Sequence, residues 1–215
     1  MIRLLLALAL TGCAPALPSH WVVPVTVEFG DTARARATAI RLADGTLLSA
    51  AHILDEAGIA EGWCRLGRSD TPPTLTALIT PTGLAHRLRA GQARLNRADC
   101  ELAYLRGEDL ALLAAQALPG ATVCATNPNP GQRVLVATRD RIAPARLDAE
   151  TPEANPAFGS YAVLALRLEP GESGGGVFDA ETLCLLGIVS QRALHDPDAA
   201  WIVPARVIRA FLAVP

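Results

Sequence analysis

Lysine is absent from this 215-residue chain, and all 19 of its basic residues are arginine, spread along the whole length. The 21 acidic residues bring the net charge to −2, and no run of one sign is long enough to serve as an arm for nucleic acid. We therefore expect no nucleic-acid binding. Aromatic residues are also few, at 4%, but 51% of the residues are hydrophobic, which excludes a disordered chain and predicts a folded one.

Long hydrophobic runs are lacking as well. The apolar run Leu4–Leu10 is far shorter than the roughly 20 residues that a helix needs to cross a bilayer. Arg3 supplies a positive charge before this run, and the small residues Thr11 and Gly12 follow it, which is the three-part layout of a secretory signal. We expect residues 1–12 to be a signal peptide and the remainder to be exported.

Two cleavage sites compete at the end of this signal. Leu10-Thr11-Gly12-Cys13 resembles the bacterial lipoprotein box, which implies cleavage before Cys13, a lipid on its sulfur and a tether over residues 13–20. The protein would then face the periplasm from a bacterial membrane. Cleavage after Ala14-Pro15-Ala16 fits the small-x-small rule instead, and it would release a soluble periplasmic or secreted protein without Cys13. We favour the lipid anchor, and the second site stays open.

The remaining cysteines are even in number once Cys13 is set aside. They are Cys64, Cys100, Cys124 and Cys184. In an exported protein this predicts two disulfides, and of three connectivities we favour Cys64 with Cys100 and Cys124 with Cys184, because each pair lies within one half of the chain. No Cys-x-x-Cys motif or clustered histidine spacing occurs, so we expect no zinc site and no cofactor.

Short apolar runs bounded by glycine, proline, aspartate and asparagine predict a mainly β protein. They cover residues 21–27, 38–42, 46–48, 133–137, 161–166 and 183–189. Asp44-Gly45 predicts a hairpin between two of these runs, because glycine accepts the positive φ of a tight turn. Ile202–Leu212 has the spacing of a terminal helix. Asp109–Leu118 also has helical propensity, but the motif that begins at Asp109, described next, favours a strand.

Three short motifs follow one another along the chain. They are Ser49-Ala50-Ala51-His52, Asp109-Leu110-Ala111-Leu112-Leu113 and Gly171-Glu172-Ser173-Gly174-Gly175. Gly187-Ile188-Val189-Ser190 and Trp201-Ile202-Val203-Pro204 come after them. In this order the motifs resemble those of the chymotrypsin-like serine peptidase family, over about residues 21 to 215. The resemblance implies an all-β fold of two antiparallel six-stranded β-barrels with a short C-terminal helix. We expect the barrels over residues 21–116 and 117–215.

The resemblance also implies a catalytic triad. A serine hydroxyl is a poor nucleophile at neutral pH, so Ser173 would need His52 as a base, and Asp109 would orient the imidazole. The backbone N–H groups of Gly171 and Ser173 would form the oxyanion hole. Asp99 is an alternative acid, because the residues after it weakly repeat the Asp109 motif.

The implied activity is that of a monomeric serine endopeptidase that cleaves proteins or peptides in the bacterial cell envelope through an acyl-enzyme. A catalytically inactive binding module with the same fold is one alternative. An esterase is a second, because Gly171 to Gly175 also fits Gly-x-Ser-x-Gly, although that class needs its acid and histidine after the serine.

Two departures from the family concern activation and specificity. Glu172 stands where digestive members have an aspartate that pairs with a newly cut N-terminus, so we expect activity without such a cut. Arg167 falls at the floor of the primary pocket when residues are counted back from Ser173, and with Arg192 and His195 it suggests an acidic preference. The backbone of Ser190, Gln191 and Arg192 would bind an extended peptide as an added strand.

Overall fold

The computed structural model describes residues 16–29, 33–54, 78–79, 87–88, 90–93, 109–113, 118–148, 161–193 and 196–213. Within these ranges the protein consists of two antiparallel sheets and one short α-helix near the C-terminus, so the predicted all-β class is confirmed. Among the same residues no helix combines the length and the apolar character needed to span a membrane.

The first sheet contains seven strands in the described part of the chain. They are β1 (Val22–Phe29), β2 (Ala33–Arg41), β3 (Leu47–Ser49), β4 (Leu78–Ile79), β5 (Arg87–Leu88), β6 (Ala90–Ala93) and β7 (Ala111–Leu113). Their order is β5-β4-β1-β2-β3-β7-β6, so β5 and β6 form the two edges. Only residue 89 separates these two strands in the chain. Residues 87–93 therefore supply both edges of the sheet, and the sheet closes into a barrel. When β5 and β6 are counted as one strand, this barrel has the six strands expected.

The second sheet contains six strands and precedes the helix. They are β8 (Arg133–Ala137), β9 (Ile142–Arg146), β10 (Ala162–Leu164), β11 (Gly176–Asp179), β12 (Leu185–Arg192) and β13 (Ala200–Pro204), followed by α1 (Ala205–Leu212). Their order is β10-β13-β12-β11-β8-β9. Leu147 and Leu164 form an antiparallel bridge between the two edges, and the Asp148 N–H donates to the Val163 carbonyl at 2.9 Å. This second sheet is thus also closed.

Two element boundaries were predicted from local signals, and one of them is as expected while the other is not. Gly45 has φ +87° between the antiparallel strands β2 and β3, which confirms the hairpin at Asp44-Gly45. The terminal helix begins at Ala205 and not at Ile202, so that prediction was wrong at its start. Ile202 and Val203 are fully buried strand residues of β13, because their pairing with β12 outweighs the helical spacing.

Three hydrophobic clusters build the interior in the part of the chain that the structure describes. One fills the first barrel and includes Val25 and Leu47, and another fills the second barrel and includes Val134 and Leu186. The third lies between the barrels. It draws Ile40, Leu48 and Leu110 from the first barrel side and Phe178, Ile188 and Trp201 from the second, together with Leu17. The two barrels are therefore joined by a continuous apolar core, and the site described below lies at this junction.

The segment that crosses between the barrels is anchored at both ends. The Ala121 N–H donates to the Arg41 carbonyl at 2.8 Å, and the Cys124 N–H donates to the Leu185 carbonyl at 2.9 Å. Cys124 also forms a disulfide with Cys184, with 5.0 Å between the Cα atoms, which confirms one of the two predicted bridges. The other pair, Cys64 with Cys100, and the predicted lipid site Cys13 lie outside the described residues.

Candidate active site

The pairing of β3 with β7 brings His52 and Asp109 together. Ser49, at the end of β3, pairs with Ala111, at the start of β7, in an antiparallel ladder. A 3-10 turn over Ala51–Leu54 carries His52 just beyond β3, and Asp109 lies two residues before β7. Because antiparallel strands place the end of one beside the start of the other, the two side chains meet at the same end of the barrel.

The Asp109 carboxylate is fully buried and accepts three hydrogen bonds from residues that the structure describes. Its Oδ2 lies 2.7 Å from Nδ1 of His52, and its Oδ1 accepts from the His52 backbone N–H at 2.8 Å. The side chain of His52 is 28% exposed, so the imidazole is partly accessible while its Nδ1 is held by the carboxylate. Asp99, the alternative acid, lies outside the described residues.

Ser190 supplies the third bond, a contact that the sequence did not predict. Its Oγ donates to Asp109 Oδ2 at 2.5 Å across the junction of the barrels. The β12–β13 register shifts between Val189 and Gln191, which leaves Ser190 in a bulge. Bulges change the direction in which a strand side chain points. Ser190, expected to contact substrate through its backbone, thus also bonds the Asp109 carboxylate with its side chain.

The loop that carries Ser173 is bound to both barrels. The Thr38 N–H of β2 donates to the Ser173 carbonyl at 2.9 Å, and the Gly174 N–H donates to the Val189 carbonyl at 2.8 Å. Val189 is the neighbour of Ser190, which bonds Asp109. The Ser173 loop is therefore bound to β2 of the first barrel and to β12 of the second, the strand that carries Ser190.

Gly174 is required at its position for two independent reasons. Its φ is +82°, a value that residues with a Cβ rarely adopt. A Cβ there would also lie 2.0 Å from the Thr38 carbonyl oxygen and 2.1 Å from Ser49 Oγ. Ser49 is three residues before His52 and itself donates to the Thr38 carbonyl at 2.6 Å. The Ser173 loop can approach the strand before His52 this closely only because Gly174 has no side chain.

Of the five backbone N–H groups from Gly171 to Gly175, three are paired within the described part of the chain and two are not. Those of Glu172, Gly174 and Gly175 donate to backbone carbonyls. Those of Gly171 and Ser173 donate to no residue that the structure describes. Gly171 has φ +100°, and its carbonyl accepts from Thr38 Oγ1 at 3.3 Å. The two N–H groups assigned to the oxyanion hole therefore remain available to a ligand as far as the described chain is concerned.

Glu172 is almost fully buried, and Arg141 binds its carboxylate in a fork. Arg141 Nε donates to Oε1 at 2.7 Å and Nη2 donates to Oε2 at 2.9 Å. Thr138 Oγ1 adds a bond to Oε1 at 3.0 Å, and the Glu169 N–H adds one to Oε2 at 2.7 Å. Burial by itself would raise the pKa of Glu172, but these hydrogen bonds and the charge of Arg141 hold that pKa below its ordinary value.

The two arginines expected near the primary pocket share one acidic neighbour. Arg167 Nε lies 3.2 Å from Glu169 Oε1, and Arg192 Nη2 lies 3.6 Å from Glu169 Oε2. Arg192 Nε also donates to the Leu168 carbonyl at 2.9 Å. Glu169 therefore lies beside both guanidinium groups, and the acidic preference stays a prediction. Gln191 is half-buried, and His195 lies outside the described residues.

The barrels and their junction have the chymotrypsin-like serine peptidase fold, and solved structures bear this out. The Rv3671c protease of M. tuberculosis in its active form matches with a TM-score of 0.62 at 16% identity, covering 89% of this chain and 79% of that one. The serine endoprotease from Yersinia pestis matches with a TM-score of 0.60 at 15% identity, covering 89% and 61%. A human astrovirus serine protease matches with a TM-score of 0.55 at 12% identity, covering 89% and 93%.

These likenesses concern the fold. No protein-family model matches the chain, and no curated protein matches it in sequence.

Proposed function

We propose that this protein is a serine endopeptidase that cleaves peptide bonds through His52, Asp109 and Ser173. The observation that carries the proposal is the buried Asp109 carboxylate, 2.7 Å from Nδ1 of a partly exposed histidine. A carboxylate in this position keeps a proton on Nδ1, so that Nε2 is the nitrogen that acts as the base. The location of Ser173 in a loop bound to β2 and to β12, the strand whose Ser190 bonds Asp109, supports its role as the nucleophile.

In the first step the Ser173 Oγ attacks the carbonyl carbon of the scissile bond, and its proton passes to Nε2 of His52. Asp109 stabilises the imidazolium that results. The negative charge that develops on the substrate oxygen is stabilised by the Gly171 and Ser173 N–H groups. His52 then protonates the leaving amine, the C–N bond breaks, and an acyl-enzyme remains. Water, activated by His52, releases the acid and regenerates Ser173.

The substrate backbone is proposed to bind along β12. On one side β13 pairs with Gln191 and Arg192, whereas β11 pairs with β12 no further than Ile188. Beyond the hydrogen bonds of Val189 with Gly174 and Gly175, no described strand pairs with that side of residues 190–192. An extended peptide can add there as a strand, a mode that reads main chain and tolerates many sequences.

Labelling of Ser173 by a serine-directed phosphonate tests this function. We expect the wild-type protein to be labelled and to cleave members of a diverse peptide mixture, and Ser173→Ala to do neither while its circular dichroism spectrum stays the same. Ser19→Ala, which changes an exposed serine, is the matched control and should behave as wild type. Labelling of Ser173→Ala at the wild-type rate would remove this serine from the mechanism. A wild-type protein that is neither labelled nor active would favour the inactive binding module.

We further propose that the enzyme acts on proteins of the bacterial cell envelope from a lipid anchor at Cys13. The signal layout and the lipoprotein-like box support this location. Membrane fractionation and mass spectrometry of the mature N-terminus test it. Wild-type protein should be in the membrane fraction with a diacylated Cys13, and Cys13→Ser should be soluble with unchanged activity on small peptides. Soluble wild-type protein that begins at Leu17 would contradict the anchor.

A further inference from the structure

Two arginines flank Gly171, one of the two residues assigned to the oxyanion hole. A Cβ placed on Gly171 would lie 3.6 Å from Arg139 Cδ and 3.6 Å from Arg36 Cβ. Arg36 and Thr38 are two residues apart in β2, so their side chains leave the strand on the same face. On that face the Thr38 hydroxyl donates to the Gly171 carbonyl. Both arginine side chains therefore begin beside Gly171.

The Thr38 hydroxyl also fixes Arg139 relative to Gly171. Thr38 is fully buried, and its Oγ1 accepts from the Arg139 backbone N–H at 3.0 Å while it donates to the Gly171 carbonyl at 3.3 Å. Arg139 lies in the turn between β8 and β9. One buried hydroxyl of the first barrel thus bonds both a turn of the second barrel and the loop that leads to Ser173.

The guanidinium of Arg139 is incompletely paired within the described chain. Its side chain is 18% exposed, and its Nε and Nη1 are buried and have no hydrogen-bond partner there. The Asp140 carboxylate lies 3.5 Å from Nε, which is longer than an ordinary hydrogen bond, and its side chain is 58% exposed to competing water. A charge that is partly desolvated attracts an anion more strongly than a solvated one. The accessible part of this guanidinium is therefore suited to bind a carboxylate that a ligand supplies.

Arg139 and Arg36 lie on the side of the Ser173 loop that is opposite to β12. The loop is bound to β12 on one side and to β2 on the other. The primary pocket, which takes the residue before the scissile bond, is expected on the β12 side, beside Arg192. With the scissile carbonyl at the loop N–H groups, the residues after the scissile bond leave on the β2 side. They then pass the two arginines beside Gly171.

We propose that Arg139, assisted by Arg36, binds a carboxylate of the fragment that leaves with the new amine. Aspartate or glutamate in the first two positions after the scissile bond supplies this carboxylate. The inference rests on the proposed peptidase function, and it assigns a specificity site on the opposite side of the scissile bond from the primary pocket. Arg139 contributes more because it is half-buried and fixed, whereas the charge of the exposed Arg36 is screened by water.

Matched peptides test the proposal. They share one sequence that wild type cleaves, carry a C-terminal amide, and differ only in having Glu-Glu or Gln-Gln directly after the scissile bond. We expect kcat/KM of wild type to be about tenfold higher for the Glu-Glu peptide, because a hydrogen bond between charged groups is strong. Arg139→Gln should reduce this ratio to about twofold or less, and Arg36→Gln should lower it by about twofold. Arg133→Gln, which changes an exposed arginine 3.4 Å from Glu181, is the control and should keep the wild-type ratio.

Charge reversal and labelling separate specificity from a structural role. Arg139→Glu should prefer a Lys-Lys peptide to the Glu-Glu peptide. A serine-directed phosphonate carries no peptide after its reactive phosphorus, so it should label Ser173 at the same rate in wild type and Arg139→Gln. A lower labelling rate in Arg139→Gln would show that Arg139 maintains the loop itself, and it would overturn the assignment to specificity.

A third peptide distinguishes the two sources of a carboxylate. It has Gln-Gln after the scissile bond and ends there with a free C-terminal carboxylate. An increase in kcat/KM confined to this peptide would overturn the side-chain preference and assign the carboxylate to a chain end. Equal kcat/KM for all three peptides overturns the inference alone. Absence of Ser173 labelling in wild type overturns the proposed function and the inference with it.

Discussion

Two buried carboxylates, Asp109 and Glu172, are each held by a basic side chain, a hydroxyl group and a backbone N–H. Asp109 accepts from an imidazole, a serine hydroxyl and a backbone N–H. Glu172 accepts from a guanidinium, a threonine hydroxyl and a backbone N–H. The difference lies in the basic partner, because an imidazole exchanges its proton near neutral pH whereas a guanidinium stays charged. We therefore interpret the first arrangement as suited to proton transfer and the second as suited to holding a loop.

The largest effect is expected from neutralising Asp109. Asp109→Asn preserves the shape of the side chain but favours the wrong imidazole tautomer, so kcat should fall by roughly 10⁴ while the protein stays folded. Asp99→Asn, the matched substitution ten residues earlier, should retain activity. The measurement is kcat on a cleaved peptide together with the rate of phosphonate labelling. If Asp99→Asn lost activity and Asp109→Asn did not, the acid would be misassigned.

A side chain at Gly174 should disrupt the packing of the Ser173 loop against Thr38 and Ser49. Gly174→Ala combines left-handed strain with a clash against a backbone carbonyl, and we expect a loss of about 3 kcal/mol or more in unfolding free energy. Gly131→Ala is the control, because Gly131 has φ +75° but no atom within 4 Å of a new Cβ. It should lose only about 1 kcal/mol. Urea unfolding of both variants measures the difference, and equal losses would disprove the close approach.

Removing the hydroxyl donor of each carboxylate, Ser190 for Asp109 and Thr138 for Glu172, should have different effects. Ser190→Ala removes a bond to Asp109 and should lower kcat about tenfold with a small change in stability. Thr138→Val removes a bond to Glu172, which keeps its fork from Arg141, so it should lower stability by about 1 kcal/mol and kcat by at most about threefold. Parallel kinetics and urea unfolding give both numbers. A reversed pattern would show that the two sites do not differ in the way proposed.

The smallest effect concerns pH. Because the pKa of Glu172 is depressed in the folded state, its ionised form stabilises the fold above the unfolded pKa, and this stabilisation is lost as pH falls through the folded pKa. Arg141 is the charged side chain in contact with Glu172, while the Glu169 carboxylate faces Arg167 and Arg192. Wild type should exceed Glu172→Gln in stability by a constant amount above about pH 5, and by less in stronger acid. Urea unfolding from neutral to acidic pH checks this, and a gap that does not change with pH would contradict it.

Much of the fold could be predicted because local signals and motif order agreed. The hairpin at Gly45 and the disulfide Cys124–Cys184 follow from rules about turns and cysteine number. The strand after Asp109 required the motif to outweigh helical propensity, and β7 begins two residues later. The terminal helix was placed three residues early, because β13 and α1 join at Pro204 without a break in the apolar pattern.

The contacts of the site were harder to predict because they depend on side chains far apart in the chain. Arg141 and Glu172 are 31 residues apart, and nothing distinguishes Arg141 from the other arginines until the β8–β9 turn is folded. Ser190 was recognised as part of a motif, but its bond to Asp109 depends on a bulge that the sequence does not indicate. Glu169, between Arg167 and Arg192, was missed for the same reason.

Burial of Leu17 between the barrels limits how an anchored form could move. Leu17 is 8% exposed and belongs to the cluster at the junction. Only four residue steps separate this fixed residue from Cys13. Four steps span at most about 14 Å, roughly half a bilayer core. With a lipid on Cys13, the enzyme would diffuse in two dimensions at one fixed height above the headgroups. Its substrates would then be selected by how far from the membrane their cleavable segment lies, in addition to the residues beside the scissile bond.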